Sequence, residues 1–260
     1  MSTLQGLDDA LTAISAAASY IELREFILAD SESRLLPPPV DGDRSAKPLN
    51  EAEGKAILAE YGVAVPEGVT GTLQEIIAKA DHLTYPLAVK LLNADLAHKN
   101  RAGAVHLNVR DASELAEAIR AIQSSVATYD KSLGTNCFLI EQMVEDPRAE
   151  FIAGISRKPG VGHALVIGRG GTAVEEHRDF VTLLLPASPA QIREALKGLG
   201  ISRQLRLAEG EIVALTQTFA CVARFATDNR EKLVELDVNP IIFDASGGVT
   251  AVDVFIRINL

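Results

Sequence analysis

Residues 235–258, ELDVNPIIFDASGGVTAVDVFIRI, constrain this chain more tightly than any other stretch. Two apolar runs flank Asp244-Ala245-Ser246-Gly247-Gly248, which has the composition of a hairpin turn. Closing that turn on Phe243 opposite Val249 makes the pairing symmetric about Ser246 and sets Asn239 across from Asp253. Because strand side chains alternate, both then project from one sheet face beside Asp237. The opposite face carries Leu236, Val238, Ile242, Val252, Val254 and Ile256, which is core. A carboxylate and an amide oxygen about 5 Å apart on a rigid ribbon suit a Mg2+ that keeps water and nucleotide phosphate oxygens as its other ligands. The alternative is the polar face of a half-buried hairpin.

With 260 residues the chain can bury a full core and has room for two lobes. A formal charge of −10 argues against a nucleic-acid footprint, though a basic pocket for phosphate remains compatible with it. Cys137 and Cys221 sit in apolar surroundings without metal-ligand spacing, as buried thiols of a reducing compartment do. No stretch approaches a membrane-spanning run and the first residues lack a signal-peptide core, so the expectation is a cytoplasmic protein that does not engage a membrane.

Residues 1–30 carry an Ala- and Leu-rich helical pattern, and residues 31–48, with three consecutive prolines, read as an extended linker. Residues 49–61 predict an amphipathic helix with Asn50 and Glu53 as capping box and Gly62 as its stop. A short strand follows at 63–66, a helix capped by Thr72 at 72–82, and a buried strand at 85–92. After a polar loop come a strand at 105–109, a long helix at 111–129, and strands at 138–143, 150–156 and 163–167. Helices at 188–199 and 209–228 precede the hairpin. This order is mixed α+β rather than a regular alternation giving one doubly wound sheet.

Several residues outside the hairpin invite a chemical reading. Lys90, the one charge in its strand, either snorkels to the sheet edge or meets an anion in a cleft. His98, in a loop too polar to be core, is either solvated or a nucleophile that accepts a phosphoryl group. Gly168-Arg169-Gly170-Gly171 follows a strand, where glycines let backbone N–H groups approach an anion, but it matches neither a phosphate-binding loop nor a dinucleotide fingerprint. Glu141 and Gln142 end an apolar strand, either as hinge residues reading an adenine edge or as a polar exit.

Taken in order, LNEAEGKAILAEYGVAVPEG, YPLAVKLLNADLAHKN, FLIEQMVEDPRAEFIAGISRKPGVGHALVIGRGGTAVE, ELDVNP and AVDVFI resemble the ATP-grasp domain of ADP-forming acyl-CoA synthetases, relatives of succinyl-CoA synthetase. The resemblance spans residues 49–258 and implies two α+β lobes gripping ATP or ADP: a small lobe at about 66–137, and a large lobe from 49–65 plus 138–260. It implies Lys90 on the nucleotide phosphates, Glu141, Gln142 and Met143 at the adenine hinge, Glu150 as the acid after it, and Gly170 and Gly171 in the nucleotide site. It further implies Asn239 and Asp253 as Mg2+ ligands, and His98 as a phosphoryl carrier between active sites. Residues 1–30 resemble the helical end of a CoA-ligase region, and the implied partner is a CoA-binding domain or alpha subunit that brings the acyl-CoA.

The chain departs from the family pattern in three places. The run after His98 is Lys99-Asn100-Arg101-Ala102-Gly103-Ala104, where the family has an acidic residue and two glycines after His-Lys-Ser. Leu183-Leu184-Leu185-Pro186 stands for Arg-Leu-Ala-Pro, and Arg157-Lys158-Pro159 for Arg-Asp-Pro. A missing arginine near transferred phosphate bears on rate. It keeps a second expectation open, a non-catalytic ATP-sensing module; a carboxylate–amine ligase, the third, needs no loop histidine.

Overall fold

The computed structural model describes residues 46–259 apart from 97–98, 159–160 and 172–178. The helix expected at 1–30, most of the linker expected at 31–48, and His98 therefore lie outside the described residues. In chain order the elements are β1 (Ala46–Pro48), α1 (Glu51–Glu60), β2 (Gly68–Gly71), α2 (Leu73–Lys79), β3 (Leu87–Leu91), β4 (Val105–Val109), α3 (Ala112–Tyr129) and β5 (Phe138–Gln142). They continue as β6 (Pro147–Lys158), β7 (Gly162–Arg169), β8 (Phe180–Leu184), α4 (Pro189–Gly198), α5 (Gly200–Leu205), α6 (Glu209–Asp228), β9 (Leu233–Asp244), β10 (Val249–Ala251) and β11 (Val254–Asn259).

The strands make two antiparallel sheets, one of seven strands in the order β1-β11-β9-β6-β7-β8 with β10 also on β9, the other of four in the order β2-β5-β3-β4. Two core clusters match them. In the small sheet, Leu87, Val89, Leu91, Phe138 and Ile140 pack with Leu115, Ala118, Ile119, Ile122 and Val126 of α3, a stripe at helical spacing. In the large one, Phe151, Ala153, Ile155, Leu165 and Ile167 meet Leu215, Phe219 and Val222 of α6. The capping boxes form as expected: the Glu53 N–H donates to Asn50 Oδ1 at 3.0 Å and the Asn50 N–H to Glu53 Oε2 at 2.9 Å.

Besides Cys137, which is exposed rather than buried, four expectations need correction. Residues 138–142 do not go with the large lobe, because β5 lies between β2 and β3 and pairs with both; an apolar strand buried on both faces carries no mark of which sheet it joins. Residues 46–48 are not linker but β1, paired with Arg257–Asn259 at the sheet edge through Pro48↔Arg257 and Ala46↔Asn259. Residues 63–66 are not a strand; the carbonyl of Ala64 accepts one bond from the Ala251 N–H, and the strand comes later, at Gly68–Gly71.

The fourth concerns the hairpin. Its register is as expected, with Val249 opposite Phe243, Val254 opposite Val238, and the Asn239 N–H donating to the Asp253 carbonyl at 3.1 Å. The alternation does not run through unbroken. Phe151 pairs with Ile241 but Ala153 with Val238, so β9 carries one extra residue at Asn239-Pro240. Ile241 and Phe243 are therefore buried in place of Ile242, and Ala251 in place of Val252.

Candidate functional site

The irregularity at Asn239-Pro240 leaves an acceptor free. The Val252 N–H donates to the Pro240 carbonyl at 3.1 Å, but proline has no N–H to return, so the Val252 carbonyl has no ladder partner there. Two lysines take it: Lys55 Nζ donates to it at 2.8 Å and Lys90 Nζ at 2.5 Å.

Around this carbonyl the two sheets and α1 share one network of charges. Lys90 lies on β3, two residues beyond Ala88, which pairs with Glu141 on β5. Lys90 Nζ donates to Glu51 Oε1 at 2.6 Å and lies 3.0 Å from Glu141 Oε2. Lys55 Nζ sits 2.5 and 2.7 Å from the two Glu141 oxygens and 2.8 Å from Glu51, one helical turn away on α1. Lys99, from the loop after β3, pairs with Glu51 and, at 3.1 Å, with Asp253 Oδ1. Glu51, Lys55, Lys90 and Glu141 are all under 7 % exposed, at 3 %, 4 %, 6 % and 2 %, so each charge depends on its partners rather than on water.

The protonation states follow from this closure. Burial works hardest against a charged Glu51, yet Lys90, Lys55 and Lys99 outweigh it and hold the carboxyl well below the usual range. Burial also opposes the charge of Lys90, and Glu51, Glu141 and Asp253 overcome it, raising the ammonium above its ordinary value. Lys55 goes the other way: burial and the neighbouring Lys90 charge lower it.

Beside this network a cavity of about 690 Å³ opens between the loop after β3 and the uncovered face of the large sheet. Lys99 and Arg101 line it from the loop; Asp237, Asn239 and Asp253 line it from the hairpin, on the face expected for them. Burial, with the Glu51 charge, raises Asp253 above the usual carboxylate range despite Lys99 and Lys90. Asp237 keeps contact with solvent, yet partial desolvation in the cavity and the charges of Asp253 and Glu235 push it up to about 6. Carboxylates crowded on one ribbon in this way suit a divalent cation. Among the described residues no group of three or more His, Cys, Asp or Glu gathers closely enough to hold a metal alone. Oxygen donors such as those of Asp253 and Asn239 are of the kind Mg2+ accepts beside water and phosphate.

The remaining expected site residues fall elsewhere. Glu150, Gly170 and Gly171 line a second cavity of about 430 Å³ with Arg148, Arg169 and Gln204. The glycines there answer to close approach: a Cβ at Gly170 would lie 2.7 Å from the Phe151 carbonyl oxygen, and at Gly171, where φ is +85°, 2.4 Å from Glu150 Oε2. The Gly170 N–H donates to the Glu150 carbonyl at 2.7 Å and so is not offered to an anion. Both side-chain oxygens of Glu141 hold buried lysines, so that side chain is not a solvated polar exit. The Gln142 and Met143 N–H groups donate to the carbonyls of Glu67 and Pro86 at 2.9 and 3.0 Å. Glu51 and Lys55 were missed among the candidates. Their signal was present: Glu51, Gly54, Lys55 and Leu58 form the buried stripe of α1, and two charges on such a stripe must be partnered.

A family model described as "ATP-grasp domain" matches residues 43–258. The chain belongs to the ATP-grasp family. Among ATP-grasp relatives, the chain is 30% identical over 209 residues to the "Acetate--CoA ligase [ADP-forming] II subunit beta" of Pyrococcus furiosus, covering 78% of this chain and 88% of that one. It is 28% identical over 204 residues to the "4-hydroxybutyrate--CoA ligase [ADP-forming]" of Nitrosopumilus maritimus, 76% of this chain but 29% of that longer one. The acetyl-coenzyme A synthetase 1 of Ca. Korarchaeum cryptofilum, solved with coenzyme A and Ca-AMPCP, shares 26% identity at a TM-score of 0.75, covering 82% of this chain and 93% of that chain. The same protein has been solved with coenzyme A and Mg-AMPPCP, its phosphohistidine segment pointing towards the nucleotide binding site; there the identity is 25%, the TM-score 0.67 and the coverage 82% and 93%.

Among the described residues no helix is long and apolar enough to cross a membrane.

Proposed function

We propose that this chain is the ATP- and ADP-binding component of an ADP-forming acyl-CoA synthetase, and that it passes phosphoryl between acyl phosphate and nucleotide through His98. The observation that carries the reading is the shared cavity. It sets the oxygen donors Asp253, Asn239 and Asp237 against Lys99 and Arg101, so divalent cation and phosphate have facing partners in one space. Asp253 and Asn239 would hold Mg2+, which when bound neutralises nucleotide phosphate charge. Lys90 would turn from its carboxylates toward the phosphates, and Gln142 and Met143 would border the adenine.

The chemistry balances around the histidine. A CoA-binding partner, either an alpha subunit or a domain of the same protein, forms acyl phosphate and free CoA from acyl-CoA and inorganic phosphate. The imidazole nitrogen attacks phosphorus, the acyl–O–P bond breaks, and the carboxylate leaves. A terminal oxygen of ADP then attacks the phosphohistidine, giving ATP and the free imidazole, and each step is reversible.

The second reading, a non-catalytic ATP sensor, draws on Leu183. Where the family carries arginine, this side chain packs against the core of the large sheet and pairs with buried Leu165. Binding and transfer are tested separately. Asp253→Ala should weaken Mg-ATP by about tenfold or more, equivalent to about 1.4 kcal/mol, with an unchanged circular dichroism spectrum. Unaltered calorimetric affinity in that variant would refute the metal assignment.

A further inference from the structure

Lys99 does more in this network than face the phosphate side of the cavity. Its ammonium meets Asp253 Oδ1 at 3.1 Å and also pairs with Glu51, while its side chain keeps 16 % of its exposure in the wall of the 690 Å³ cavity. Lys90 and Lys55 already satisfy the other Glu51 oxygen, and both are engaged with Glu141 and the Val252 carbonyl as well. Lys99 is thus the cation of this network that reaches the hairpin carboxylate from the cavity side.

We propose that Lys99 is the resident counter-ion of the metal site, a positioning residue that neutralises Asp253 until a divalent cation displaces it and that is then free to meet phosphate. This rests on Asp253 being the metal ligand. Lys99 sits on Oδ1 of Asp253, so a divalent cation held by either oxygen of that carboxylate lies within a few ångströms of the ammonium, and the two positive charges compete for one carboxylate. Metal entry therefore works against the Lys99–Asp253 pair and favours release of the ammonium from it. Glu51 retains it, so the side chain stays in the cavity wall, where Arg101 is the other loop cation. By linkage, a metal that frees this ammonium strengthens phosphate binding, and phosphate strengthens metal binding by the same factor.

The test is Mn2+ binding to the full chain without nucleotide, read by electron paramagnetic resonance of free Mn2+. Lys99→Met should bind Mn2+ about tenfold more tightly, the factor that 1.4 kcal/mol of lost competition represents. Lys99→Arg, which keeps the competing charge, should stay close to the parent. Arg101→Met removes an equal charge from the same cavity without touching Asp253, and should gain clearly less than Lys99→Met. Equal gains in Lys99→Met and Arg101→Met would reduce the effect to general field and overturn the proposal, as would no gain in Lys99→Met. Asp253→Asn separates the two layers: if it loses Mn2+ while Lys99→Met gains nothing, the metal reading stands and the counter-ion role fails. If it binds Mn2+ as the parent does, the metal reading itself fails.

Discussion

Lys90 of the small sheet and Glu51 at the start of α1 meet at 2.6 Å in a pair almost closed to water, 39 residues apart in sequence. Through it, β3 is tied to the helix that packs on β11, since a Cβ at Gly54 of α1 would lie 3.0 Å from Val254. The two sheets are thus joined by charge as well as by chain.

Glu51 is the shared partner of three lysines, and its removal leaves buried ammonium groups underpaired. Glu51→Ala should cost about 3–5 kcal/mol of unfolding free energy in urea at neutral pH. A cost below about 1 kcal/mol, the range of exposed pairs, would mean that the network is solvated.

Removing Lys90 is different, because Lys55 still faces both Glu51 and Glu141. Lys90→Met should keep the fold and weaken ATP by about 1.5–3 kcal/mol, the worth of hydrogen bonding to a charged group. Adenosine, which offers no phosphate, should bind as before. Parallel losses for both ligands by calorimetry would place Lys90 outside the phosphate contact.

His163 is buried, and because a carbonyl can only accept, its Nε2–H donates to the Leu233 oxygen at 2.8 Å. Burial first, and then the nearby Arg157 charge, lower its pKa. A histidine lowered on folding contributes stability in full above its unfolded pKa of about 6.5, and that contribution is lost as pH falls toward the folded value. The urea midpoint should therefore drop below about pH 6.5, and the drop should be shallower in His163→Gln. The same slope in both proteins would remove His163 as the cause.

The hairpin register was legible in sequence because the Asp244–Gly248 turn composition and two apolar runs leave one symmetric pairing, and Val249↔Phe243 is that pairing. The parity change at Asn239-Pro240 was not, because it depends on how β6 pairs across from β9, with Phe151 on Ile241 and Ala153 on Val238. Lys90 drew notice as a charge in an apolar strand. Its partners did not, since Glu51, Glu141 and the Val252 carbonyl come from α1, β5 and the hairpin, and charges on a helix read by default as a solvated face. β8 was missed because Phe180, Thr182 and Leu184 are exposed on an edge strand, where apolar residues of both parities hide the period of two.

Labelling with ATP that carries radioactive γ-phosphate tests the proposed transfer most directly. In the presence of Mg2+ the chain should take up acid-labile, base-stable label that mass spectrometry places on His98. His98→Ala should lose the label and still bind Mg-ATP nearly as the parent does, while His106→Ala keeps the label. A parent protein that binds ATP but takes no label, or a His98→Ala variant that is still labelled, would contradict the account.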